Sequence, residues 1–181
     1  MSKALTLPEP AASSAALPIA HVVLRILIVL NWVMVPLMLA LLFVVPNREW
    51  IMSALKLSPS SDAERVVMGL RAIAALGLVT LPLNYGILKR LLAMVKTVRE
   101  GDPFVASNAM RLRTIAWILF ALQLISIVIG TIGKSISTPA HPINLSAGFS
   151  TTGWLAVLLT FILAQVFAEG TRMREDLEGT V

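Results

Sequence analysis

Four long runs of apolar residues, separated by short polar stretches, organise this chain. They lie at about 19–45, 66–88, 114–132 and 153–168, near the roughly 20 residues that a helix rising about 1.5 Å per residue needs to cross about 30 Å of hydrocarbon. The fourth run is the shortest, and AGFSTT from Ala147 extends it upstream. A lone strand in lipid leaves its backbone N–H and C=O groups without partners, whereas a helix pairs them internally, so the runs predict helices. The fold class expected is all-α: an integral membrane four-helix bundle built from two hairpins. Pro36 and Pro82 fall inside runs and predict kinks rather than breaks, because neighbouring helices re-satisfy the freed carbonyls.

The polar stretches divide the remainder. Residues 1–18, rich in Ala, Ser and Pro, predict a disordered tail; 19–168 form the transmembrane domain; 169–181 form a C-terminal tail. The first run is longer than the apolar core of a cleaved signal and leads into PNREW from Pro46. It is therefore expected to stay as an anchor. Composition agrees with a chain whose main solvent is lipid: 57% of residues are hydrophobic and 14% charged, and the mean hydropathy is +0.83.

Charge then orients the spans, because short basic loops are retained on the cytoplasmic side. Lys89, Arg90, Lys96, Arg99, Arg111 and Arg113 crowd between the second and third runs. With that segment inside, both termini are cytoplasmic and add Lys3, Arg25, Arg172 and Arg174. The outer loops keep only Arg48, Lys56, Arg65 and Lys134. Trp50 and Trp154 fall near the outer boundary, where indole rings favour the interface. The reading is a multi-pass protein of the bacterial cytoplasmic (inner) membrane.

The outer loops look structural. WIMSALKL from Trp50 is expected to lie along the membrane surface, Ser61 and Glu64 to form a capping box, and the segment after Lys134, with Pro139, Pro142 and Gly148, to be irregular. Asn144-Leu145-Ser146 is formally a glycosylation sequon, too short a pattern to carry weight. On the inner side, Leu91, Val95 and Val98 continue the helical period of the second run. Gly101 ends that helix and Pro103 disfavours helical geometry at Asp102, so GDPF is a turn, with Phe104 anchored in the interface or in the bundle. Ser107 or Asn108 is expected to cap the helix that follows.

Ionisable or amide side chains inside a membrane are functional candidates by default. Asn31, Asn84, Gln123 and Gln165, with Arg71, are candidates for one intramembrane polar cluster. They either hold helices together by interhelical hydrogen bonds or line a substrate path, although no carboxylate joins them to carry a coupling proton. Arg71 and Arg25 have stems long enough to snorkel to the headgroups. The sequence has no cysteine, hence no thiolate nucleophile or zinc thiolate site. Its two histidines, His21 and His141, fall on opposite sides of the expected bilayer. No phosphate-cradling glycine loop or H-E-x-x-H pattern occurs. No enzyme activity, metal or cofactor is expected.

The inner face carries the remaining signal. The 89–113 segment has net charge +4 and the 169–181 segment net charge −2, so the tail is expected to dock on the loop, with Glu175 and Asp176 opposite Arg99, Arg111 and Arg113. The basic loop is explained by topology and lipid attraction, and no direct nucleic-acid binding is expected.

Two of these segments carry a family resemblance. VREGDPF at Val98 and FAEGTRMREDLEGTV at Phe167 resemble the DUF2975 family of small bacterial integral membrane proteins. In that family a G-x-P-F turn follows the second helix, and an F-x-x-G stretch runs into an acidic tail ending in Thr-Val or Thr-Ile. Gly101, Pro103 and Phe104 match the first motif; Phe167, Gly170, Leu177, Thr180 and Val181 match the second. The family has no established biochemical activity. Its members are often encoded beside a small helix-turn-helix regulator, which implies a membrane partner or sensor that binds such a protein.

Three functions follow as expectations. The first is a non-enzymatic inner-membrane protein presenting Gly101, Asp102, Pro103, Phe104 and the C-terminal tail to a cytoplasmic transcription regulator. The second is a small transporter or channel assembled as a homo-oligomer. The third is a structural subunit of a membrane complex.

Overall fold

The computed structural model describes residues 12–44, 49, 53, 61–137 and 147–178. Four helices account for nearly all of them: α1 (Ala12–Val44), α2 (Ser61–Arg99), α3 (Ala106–Ile136) and α4 (Thr151–Glu178). Among the described residues there is no strand. All four helices are long and apolar enough to cross a membrane, and the chain is a multi-pass membrane protein with the all-α, four-helix architecture that its apolar runs predict. α1 and α2 run through Pro36 and Pro82 without a break.

Each helix outruns its apolar run. α2 has 39 residues and is roughly 58 Å long at 1.5 Å per residue, so one end projects past the hydrocarbon. Lys89, Lys96 and Arg99 mark the projecting part. Two expectations change here. Residues 12–18, expected as disordered tail, belong to α1, because Ala12, Ala15, Ala16 and Leu17 are strong helix formers. Residues 169–178, expected as a separate tail, continue α4: Gly170, Thr171 and Asp176 lower helix propensity, but they are outnumbered by Glu169, Arg172, Met173, Arg174, Glu175, Leu177 and Glu178, which favour it. Residues 1–11, Trp50, Lys56, the 138–146 loop with Asn144, Thr180 and Val181 lie outside the described residues. So does the Ser61 side chain of the expected capping box, although α2 does begin at Ser61.

The helices pack in chain order: α1 on α2, α2 on α3 and α3 on α4. In lipid no hydrophobic force separates helix from solvent, so close packing depends on small residues that let backbones approach. Gly69 of α2 faces Ile136 and Ile132 of α3. A Cβ on Gly130 of α3 would come within 2.6 Å of the Ala147 carbonyl oxygen and the Gly148 Cα. Ser126 pins the same segment, its hydroxyl within 3.2 Å of both the carbonyl oxygen and the N–H of Gly148. Nearer the middle of α3, aromatic rings fill the seam. Trp117 meets Phe161 edge-on at 5.4 Å, and Phe120 meets Trp154 at 5.6 Å, a geometry the ring quadrupoles favour.

Gln123 lies over Gly153 in that seam, its amide occupying the space a side chain there would need. Its Oε1 is buried and accepts no hydrogen bond among the described residues, so Gln123 works as a filler of shape. Gly153→Ala and Gln123→Ala are accordingly expected to be coupled: in detergent melts the double variant loses less stability than the two single losses added, by about 0.5 kcal/mol or more. Strict additivity would contradict this contact.

Candidate functional site

At the end of the bundle that carries the α2–α3 turn, the two sequence motifs meet. α2 closes in a Schellman arrangement. The N–H of Gly101 donates to the Val98 carbonyl at 3.1 Å, and the N–H of Asp102 donates to the Thr97 carbonyl at 3.0 Å. Gly101 sits at φ 85°, in the left-handed region where a Cβ is penalised, so glycine is required here. Pro103 follows, and α3 starts after Val105, whose extended backbone takes the N-cap position without a side-chain cap.

Asn108 is three residues into α3 and is not the cap expected of it or of Ser107. It is fully buried. Its Nδ2 donates to Thr97 Oγ1 at 2.7 Å and to the Pro103 carbonyl at 2.9 Å, and its Oδ1 accepts from Arg111 Nη1 at 2.7 Å. Thr97 in turn donates to the Met94 carbonyl at 2.8 Å. One amide thus ties the end of α2, the turn and the start of α3 together. A cap is a local pattern; the partner that claims Asn108 lies 11 residues back across the turn, beyond the reach of local spacing.

The turn then docks on α4. The Phe104 ring packs on Phe167 with centroids 5.2 Å apart. It also lies over Gly170, where a Cβ would come within 2.8 Å of the ring. Arg174 donates to the Asp102 carboxylate. Phe167, Gly170, Thr171 and Arg174 follow the i, i+3, i+4, i+7 spacing of one helix face, with Thr171 buried beneath it and its hydroxyl donating to the Phe167 carbonyl at 2.9 Å. The G-x-P-F and F-x-x-G motifs are therefore two halves of one contact.

The charges do not fall as net charge suggests. The pair formed joins an acid of the turn to a base of α4, Asp102 with Arg174, because Arg174 continues the Phe167 face. Glu175 lines a groove with Arg113 on another face. Glu100 pairs with Lys96 on its own helix at 3.8 Å, Glu169 with Arg172 at 3.8 Å, and Arg111 is engaged by Asn108. Arg99 and Asp176 are exposed.

The intramembrane residues expected to converge do not form one cluster. Asn31 is in the α1–α2 seam, its Nδ2 reaching the Leu81 carbonyl at 3.4 Å beside Pro82 and Tyr85. Gln123 is in the α3–α4 seam against Gly153. Gln165 is exposed on the groove between α3 and α4, Arg71 is exposed on α2, and Asn84 is half-buried there. Depth along the normal is readable from sequence position, but in a bundle packed in chain order residues at one depth face different seams.

The family model described as "Protein of unknown function (DUF2975)" matches residues 10–181. No curated protein and no solved structure matches the chain.

Proposed function

The chain belongs to the DUF2975 family, whose function is unknown, and we propose that it is a non-enzymatic partner protein of the bacterial inner membrane. Its turn end faces the cytoplasm and binds a cytoplasmic protein such as a small helix-turn-helix transcription regulator. The bias of Lys and Arg toward that end supports the orientation.

The observation that carries this reading is the projecting end of α4. Arg172, Arg174, Glu175 and Asp176 keep it out of hydrocarbon, yet Met173 and Leu177 beside them are 56% and 71% exposed. Four residues apart, they share one face, and apolar side chains set among charges on a helix are what a partner's groove recognises. The latch of Phe104 on Phe167 and Gly170 holds that helix to the turn, so the surface is presented at a fixed angle. A transport path is the less supported reading, because Asn31 lies in the α1–α2 seam while Gln123 and Gln165 lie between α3 and α4.

Capture from native membranes tests it. Met173→Glu and Leu177→Glu, or deletion of 175–181, are expected to abolish recovery of the soluble partner while insertion and expression persist. Undiminished recovery of the same protein with both changes would overturn the proposal.

A further inference from the structure

Between α3 and α4, at the turn end, lies an open groove of about 690 Å³. Its makeup changes with depth. Trp117 and Phe161 form the innermost wall, Arg113 and Ala164 come next, Ala109 and Ala168 lie beyond them as a smooth shelf, then Arg172, and Glu175 is outermost along α4. Arg113 directly precedes the apolar run of α3, which sets it at headgroup level, one turn from Trp117. Arg113, Gln165 and Glu175 have no hydrogen-bond or ion-pair partner among the described residues.

We propose that this groove is a binding site for a phospholipid with a primary ammonium headgroup, of the phosphatidylethanolamine class. An acyl chain lies against Trp117 and Phe161, the phosphate meets Arg113 and Arg172 across the small residues between them, and the ammonium meets Glu175. The order apolar, cationic, anionic going outward is complementary to the order acyl chain, phosphate, ammonium in the lipid. A purely anionic headgroup would match the arginines but would be repelled by Glu175. A choline headgroup lacks the N–H donors that a carboxylate accepts. The assignment is independent of whether a soluble partner binds, since it uses the lipid face and not Met173 or Leu177.

Trp117 provides the readout. In a variant keeping only that tryptophan (Trp32, Trp50 and Trp154→Phe), reconstituted in phosphatidylcholine vesicles, acyl-brominated lipids quench its fluorescence on contact. Brominated phosphatidylethanolamine is expected to bind about threefold more strongly than brominated phosphatidylcholine or phosphatidylglycerol, the size of one exposed ion pair. Glu175→Gln should bring ethanolamine and choline lipids to parity, Arg113→Gln should weaken both, and Glu100→Gln, a carboxylate at the same end but outside the groove, should change neither. Parity in the parent protein, preference for phosphatidylglycerol, or a preference that survives Glu175→Gln would overturn the proposal. Competition by soluble phosphoethanolamine would overturn the lipid assignment in favour of a small-molecule ligand.

Discussion

Asn108→Leu should be the most damaging single substitution at the turn end. The side chain is fully buried and makes three hydrogen bonds. Leucine is close in volume, so the loss isolates the polar network from packing. Two neutral bonds at about 1 kcal/mol each and one to a guanidinium at about 1.5–3 kcal/mol suggest a cost of about 3 kcal/mol after partial rescue by water. Arg111, half-buried, would lose its acceptor, and the Pro103 carbonyl its donor. A clearly lower unfolding midpoint in detergent, with faster amide exchange at Gly101 and Asp102, is the expected outcome. Ser107→Ala, one residue away and exposed, should stay within about 0.5 kcal/mol. Equal effects at the two positions would mean that Asn108 acts only as part of the helix start.

Gly170→Ala is expected to separate global stability from latch stability. The added Cβ would come within 2.8 Å of the Phe104 ring, forcing it off Phe167 and loosening the turn by about 1–2 kcal/mol through the lost aromatic pair and its burial. Alanine meanwhile stabilises an interior helix position by about 1 kcal/mol over glycine. The midpoint should therefore move little, while exchange at Gly101 and Asp102, whose N–H groups are hydrogen-bonded in the turn, rises about tenfold, the equivalent of about 1.4 kcal/mol. Phe104→Ala should raise exchange alike and lower the midpoint too, lacking the helix gain. If Gly170→Ala leaves exchange at the turn unchanged, the glycine is not there to admit the ring. On the proposed function, both substitutions also weaken partner capture by letting the end of α4 swing.

The helices themselves were legible because lipid imposes a crude rule: about 20 apolar residues in a row, with every backbone group paired internally. The Gly101–Phe104 turn was legible for a similar reason, since a glycine at the helix end followed by proline admits few conformations. What sequence could not supply was direction around each helix. Net charges of +4 and −2 suggested an acidic α4 end on a basic loop, and the structure instead joins Asp102 to Arg174, because helix phase decides which side chain reaches the neighbour and net charge does not. Asn31 and Gln123 are candidates for one polar cluster by sequence, yet one faces α2 and the other faces α4. Asn108 looked like a cap because capping is a short-range pattern, while its actual partners come from across a turn. The offset between Phe104 and Phe167 is longer still, and only the paired motifs hinted at it.

The central claim is that the Gly101–Phe104 turn and the end of α4 form one latched unit. The sequence has no cysteine, so introduced pairs report without background. Asp102→Cys with Arg174→Cys, treated in native membranes with a short bifunctional thiol reagent, should cross-link rapidly within one chain, with the two halves staying joined after proteolysis between them. Asp102→Cys with Lys134→Cys, at opposite ends of α3 and its preceding turn, should not. Failure of the 102–174 pair to link, or linking no faster than the 102–134 pair, would contradict the account.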